Sequence, residues 1–162
     1  MTQSINIRNT ATRGQRGFTL IELIVATAIV AILVGMAVPV AKNAVARERE
    51  HELRYDLWMM RDAIDRYKAA ADMGAFQIKV DSQGYPPDLD TLVKGVQLTG
   101  AKSEHVRFLR QIPKDPITGT SDWGMRSVQD DTDTTSWGGQ DVFDVYSKST
   151  GTALDGTKYS DW

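Results

Sequence analysis

Residues 18–40 read FTLIELIVATAIVAILVGMAVPV, a run in which Glu22 is the only charged side chain. At 1.5 Å per residue, the 21 residues from Phe18 to Val38 would span roughly 31 Å as a helix, the thickness of a bilayer hydrocarbon core. The run therefore reads as a membrane anchor and fixes the N-terminal half of the fold as helix. It exceeds the usual 7 to 15 apolar residues of a secretory signal, and no good small-x-small cleavage pattern follows it. A plain signal anchor stays open on these grounds.

Upstream, residues 1–17 carry Arg8, Arg13 and Arg16 and no acid. The 145 residues that follow hold 16 bases and 21 acids, and the first stretch after the apolar run mixes both signs (KNAVARERE). This asymmetry predicts a cytoplasmic N-terminus and an exported remainder. The whole chain has 162 residues, a net charge of -2 and no cysteine. One domain with appendages fits that length, and a multidomain enzyme does not. The charge gives no footprint for a nucleic-acid binder. The missing thiols exclude a disulfide scaffold, a thiol nucleophile and thiolate metal sites.

Downstream, residues 41–73 contain neither Gly nor Pro, and Leu53, Leu57, Met60, Ile64, Tyr67 and Ala71 recur at steps of three and four. The spacing predicts one helix from about Thr19 to about Met73, ended by Gly74, with an apolar stripe on its second half widened by Trp58 and Met59. Glu50 with Arg54 and Asp62 with Arg66 have the favourable acid-first i,i+4 order. Gly35 and Pro39 are its weak points, where a kink or local melting is expected.

Beyond Gly74 the periodicity changes. Asp88 is placed to cap a short helix through Leu92 and Val93, and residues 104–111 (EHVRFLRQ) read as another helical turn. Alternation at 123–128 and 142–147 predicts two antiparallel strands joined by a polar loop. Leu154, Tyr159 and Trp162 are expected to pin the turn-rich tail. These elements, one long N-terminal helix followed by short antiparallel strands, make the fold class α+β.

No enzymatic constellation stands out. His51 and His105 lack metal-ligand spacing and a nearby nucleophile motif. Asp130, Asp131 and Asp133 fail the calcium-loop pattern because Thr135 and Ser136 stand at the next ligand and glycine positions. Trp123, Trp137 and Trp162 read as packing residues. Glu22 is the exception. A carboxylate in an apolar span costs on the order of 2.5 to 3.5 kcal/mol even on lenient insertion scales, so it calls for a partner.

The segment Arg16-Gly17-Phe18-Thr19-Leu20-Ile21-Glu22-Leu23 with the apolar run behind it resembles the type IV pilin-like proteins. The resemblance implies that a prepilin peptidase cuts between Gly17 and Phe18 and methylates the new Phe18 amine. That amine, with a reference pKa near 7.7 to 8.0, stays positive at neutral pH. Glu22 is then expected to pair with the Phe18 ammonium of a neighbouring subunit during assembly; pairing within its own chain, or with the helix dipole, stays open.

Further along, GYPPDLDTLV (84–93) and FLRQIPKDP (108–116) are similar to the major pseudopilin of type II secretion systems, although Ile117 to Trp123 replaces that family's Trp-Gly-Asn-Pro turn. The resemblance implies a pilin-like α+β fold, a long N-terminal helix packed on a small antiparallel sheet, with a leader at 1–17, a transmembrane and assembly helix at 18–40, its amphipathic continuation at 41–73 and a globular head at 74–162. It implies a homopolymeric filament as the product. The partners it implies are further copies, the prepilin peptidase, minor pseudopilins and an inner-membrane assembly platform, with no nucleic acid. The precursor would lie in the inner membrane and the product in a periplasmic pseudopilus. A surface type IV pilus and a membrane-tethered binding module are the alternative readings. No cofactor is certain. The family's calcium would fall to Ser147, Asp155 and Asp161, fewer carboxylates than a hard cation favours, and Asp155-Gly156 reads equally well as a turn.

Overall fold

A computed structural model describes residues 17–100, 105–131 and 134–162 of the chain. The leader residues 1–16, Asp133 and the side chain of Pro39 lie outside the described residues. The chain divides into two compact units, Met1–Ala41 and Lys42–Trp162. Helix α1, Leu20–Asp72, is assigned without a break through Gly35 and Pro39.

In the first unit, Thr19 caps the helix: the Glu22 amide donates to its Oγ1 at 3.3 Å. The apolar side chains that follow are exposed, Leu20 at 77% and Leu33 at 61% among them. Among the described residues no helix is long and apolar enough to cross a membrane; the side chains at 36 and 38–40 are not among them.

The second unit is built on the predicted stripe. Leu53, Leu57, Met60, Ile64, Tyr67 and Ala71 are all buried. Trp58 points the other way and is 63% exposed, so only Met59 widens the buried arc. Position 58 lies too far around the helix from the stripe to share its face. The helix ends in a double hydrogen bond, Gly74 N–H to the Ala71 carbonyl and Ala75 N–H to the Ala70 carbonyl, with Gly74 at φ 73°. That left-handed position is why a glycine stands there.

Helix α2, Leu89–Lys94, is capped by Asp88, whose Oδ1 accepts from the Thr91 amide at 2.7 Å. It delivers the chain to β1, Val96–Gln97, which pairs antiparallel with β2, His105–Val106. The helical turn expected at 104–111 is thus replaced by a strand. The amides of Phe108 and Leu109 both donate to the Leu92 carbonyl at 3.0 Å, tying this segment to α2 where a helix would have turned those donors inward.

Strands β3, Gly124–Arg126, and β4, Asp144–Tyr146, form the second antiparallel ladder as expected, with Met125 opposite Val145. Tyr146 lies across the ladder so closely that a Cβ on Gly124 would sit 2.2 Å from its ring, which restricts that position to glycine. The Arg126 guanidinium covers the same ring at 4.1 Å.

Between α1 and the ladders the core gathers Phe76, Leu92, Phe108, Trp123, Val142 and Val145. Tyr67, Phe76 and Phe108 form an aromatic trio with centroids 4.8 to 6.3 Å apart. Each fully buried side chain of this kind contributes roughly 1.5 to 3 kcal/mol.

Candidate functional site

Gly17, Phe18 and Thr19 are non-helical and exposed, and α1 starts directly after them. A Cβ on Gly17 would meet nothing within 4 Å, and Phe18 is 82% exposed. The Gly17–Phe18 peptide bond therefore lies in an accessible, irregular stretch, the form a protease needs, one residue ahead of a helix cap.

The cap explains the local sequence. Thr19-Leu20-Ile21-Glu22 has the spacing of a capping box: Thr19 takes the amide of Glu22, and Glu22 occupies the third helical position, where a carboxylate meets the positive end of the helix dipole. Glu22 thus has a local role, the role the dipole reading gives it. It forms no ion pair among the described residues. The other polar side chain in the exposed run, Thr27, satisfies itself by donating to the carbonyls of Leu23 at 3.0 Å and Ile24 at 2.9 Å. Glu22 is the one charged side chain between Leu20 and Gly35, a stretch of the helix whose described side chains are exposed on every face. A helix that is apolar all round is normally buried.

Residues 12–38 match the prokaryotic N-terminal methylation motif. The chain carries a type IV pilin-like signal. Cleavage by a prepilin peptidase and a membrane-anchored precursor follow from such a signal, and so does filament assembly. Comparison with curated proteins and with solved structures returns no match.

The residues considered for calcium are not brought together. Ser147 is buried and donates to Asp115 Oδ2 at 2.5 Å. Asp155 and Asp161 line a cavity of about 490 Å³ that also contains Arg54 and Arg61, whose charges oppose a cation. Asp155 is already occupied: its Oδ1 takes the amide and hydroxyl of Thr157, and Arg54 reaches Oδ2 at 3.2 Å. These contacts hold its carboxyl below the usual range, the Thr157 hydroxyl first. Asp155 is a turn and docking residue. Among the described residues no group of three or more His, Cys, Asp or Glu could hold a metal ion.

Asp130 also organises its own loop, accepting the amides of Ser127 at 2.8 Å and Gly138 at 3.0 Å, which lower its pKa. His51 and His105 are both exposed. Trp123 and Trp137 donate to the carbonyls of Pro113 and Asp141 and serve packing.

The tail is docked more firmly than the sequence suggests. Arg61 reaches Asp144 Oδ1 at 2.6 Å, the Val145 carbonyl at 3.0 Å and the Trp162 carbonyl at 2.8 Å. Glu50 does not pair with Arg54 along the helix. It accepts the Leu154 amide at 2.8 Å and the Tyr159 hydroxyl at 3.2 Å, while Arg54 stacks on Trp162 at 3.7 Å. The tail offers these two side chains better-placed partners than each other. Tyr159 and Trp162 pin the tail as expected, whereas Leu154 contributes its backbone and leaves its side chain half exposed. In the sequence Asp115 stands out only as part of the FLRQIPKDP segment, yet it is fully buried and gathers the amides of Ile117 and Thr118 besides Ser147. Its readable signal was the Asp-Pro-x-Thr-Gly turn pattern.

Proposed function

We propose that the chain is a non-catalytic structural subunit, the major pseudopilin of a type II secretion system. It is made as a single-pass inner-membrane precursor, cut between Gly17 and Phe18, methylated on Phe18 and assembled through its N-terminal helix into a periplasmic filament. Minor pseudopilins and an inner-membrane platform are its partners in that assembly. The observation that carries the reading is the methylation motif at residues 12–38 joined to an exposed helical stretch, Leu20–Gly35, in which Glu22 is the only charged side chain.

The mechanism follows from charge. Cutting before Phe18 releases an ammonium one residue ahead of the Thr19 cap, at the level of the first helical turn. Glu22 of the neighbouring copy neutralises it, so two charges that are costly in hydrocarbon disappear together only in the assembled state. The long exposed helix then finds its cover in other copies of itself.

Replacing Glu22 with Ala is expected to leave membrane insertion and trimming intact while filaments are lost. Mass spectrometry of the N-terminus and electron microscopy read the two outcomes. Normal filaments from Glu22→Ala, or a working protein that keeps Met1, would refute the proposal. A surface type IV pilus shares this mechanism; filaments on the outside of the cell would select it.

A further inference from the structure

The loop between β3 and β4 carries two carboxylates that are held by adjacent amides. Asp130 Oδ2 accepts the Ser127 amide at 2.8 Å, and Asp141 Oδ1 accepts the Val128 amide at 3.1 Å. The two acids therefore stand side by side. Asp141 is fully buried, yet its Oδ2 has no hydrogen-bond partner among the described residues. A buried carboxylate oxygen in that state is costly, and a native fold resolves it with a water or an ion.

The charges favour the ion. Neither acid forms an ion pair among the described residues. Burial raises the pKa of Asp141, the Val128 amide opposes the rise, and the charge of Asp130 adds to it. Arg126 Nε is also buried without a partner, but its guanidinium is committed to Asp144 and to the Tyr146 ring. A water would leave two like charges beside each other, whereas a cation relieves both the burial and the repulsion.

The oxygens around Gly138 define where a cation would sit. Both amides that Asp130 accepts, those of Ser127 and Gly138, fall on Oδ2. Its Oδ1 and the Gln140 Oε1 instead border the space left by the missing side chain of Gly138. A Cβ there would clash with both, lying 2.8 Å from Asp130 Oδ1. Acceptors thus converge with no donor between them. Carboxylate and amide oxygens are the donor set of a hard cation, and calcium tolerates the irregular geometry of a loop where magnesium demands an octahedron. We propose that Asp130, Gln140 and Asp141 hold a calcium ion, with water completing its shell on the exposed side of Gly138. This set shares no residue with Ser147, Asp155 and Asp161 of the tail. With two carboxylates it belongs among the weak extracellular sites, with a Kd of about 10⁻⁴ to 10⁻³ M. Its effect is to clamp the loop that joins the two strands, and it holds whether or not the chain forms filaments.

Equilibrium dialysis of the full-length chain in detergent, first stripped with EGTA, against about 5 mM calcium chloride tests the site. One bound calcium per chain is expected, and the melting temperature should rise by about 4 °C over its value in EGTA. Asp130→Asn and Asp141→Asn should each weaken binding at least tenfold. Gly138→Ala, at an exposed position, pushes two of the donors away and should do the same, which keeps the test decisive if Asp141→Asn fails to fold. Asp155→Ala should bind calcium as the unsubstituted chain does. No bound calcium, binding that survives Asp130→Asn and Gly138→Ala, or binding lost with Asp155→Ala overturns the site. An equal rise in melting temperature with magnesium chloride at the same concentration overturns the assignment to calcium.

Discussion

Leu23 and Leu57 belong to one helix and live under opposite rules. Leu23 is 57% exposed amid residues that are apolar but for Glu22 and Thr27, and Leu57 is 2% exposed on a single stripe. Around Leu57 the remaining faces are charged, and the apolar one is closed by Phe108, Trp123 and Val145 of the same unit. Around Leu23 the sequence supplies no polar face at all. The difference shows two ways of meeting the same hydrophobic cost. The second half of α1 is satisfied inside the chain, and the first is left for an environment outside it, lipid and then, on our proposal, other copies. On that proposal, function lies in the unsatisfied half and stability in the satisfied one.

The largest expected effect tests this division. Leu57→Ala should destabilise the C-terminal unit by about 2 to 5 kcal/mol, the cost of a cavity in a packed core. Leu23→Ala should leave that stability unchanged, and any cost should fall on filament yield. Chemical denaturation of the full-length chain in detergent, followed by tryptophan fluorescence, separates the two. Equal losses of stability would mean that the first half of α1 is already packed within the chain.

Much of this was legible beforehand, for physical reasons. The stripe from Leu53 to Ala71 follows from helical periodicity, the Asp88 cap and the Gly74 stop from local backbone chemistry, and the β3–β4 ladder from alternation. The N-terminal methylation motif was legible because Gly17, Phe18 and Glu22 lie within a stretch of six residues, and a motif that local needs no tertiary structure to be recognised. What escaped depends on partners distant in the chain. The β1–β2 pair is only two residues on each side, too short for a period to register. Glu50 and Arg54 form an attractive i,i+4 pair until the tail, more than 100 residues away, arrives to take both. Asp56 was passed over as one more polar position, although it lies between Leu53 and Leu57 and falls beside the buried arc.

Asp56 also supplies the middle-sized prediction. Burial first, then Glu52 and Asp115, raise its pKa from 3.8 to about 6. A group that binds its proton more tightly when folded stabilises the fold below its unfolded pKa, and this contribution is lost as pH rises through the folded one. The unassembled chain in detergent should therefore lose about 1 kcal/mol of stability between about pH 4 and pH 6.5 from this group, the full value of the shift being cut by water in the open cleft between α1 and residues 107–114. Asp56→Asn should flatten the profile in that window and raise the melting temperature at pH 7.5. A variant that melts like the original at every pH would show that the carboxylate is well solvated in the cleft. The flattened profile, by contrast, would mark Asp56 as a place where the satisfied half of the helix carries an uncompensated cost of its own.

The smallest effect concerns the arginines that hold the tail. Arg61 is part-buried and its planar fork serves three acceptors at once, whereas Arg54 lies in the open beside Asp155. Lysine keeps the charge but has no fork, so Arg61→Lys forfeits the geometry and should cost about 1 kcal/mol. Arg54→Lys keeps most of what an exposed pair can give, and its effect should disappear in 0.5 M salt, a concentration at which screening acts within about 5 Å. Melting both variants at low and high salt ranks them. If Arg54→Lys proved the costlier at high salt, stacking of the guanidinium on Trp162 would outweigh the buried fork as the tail's main fastening.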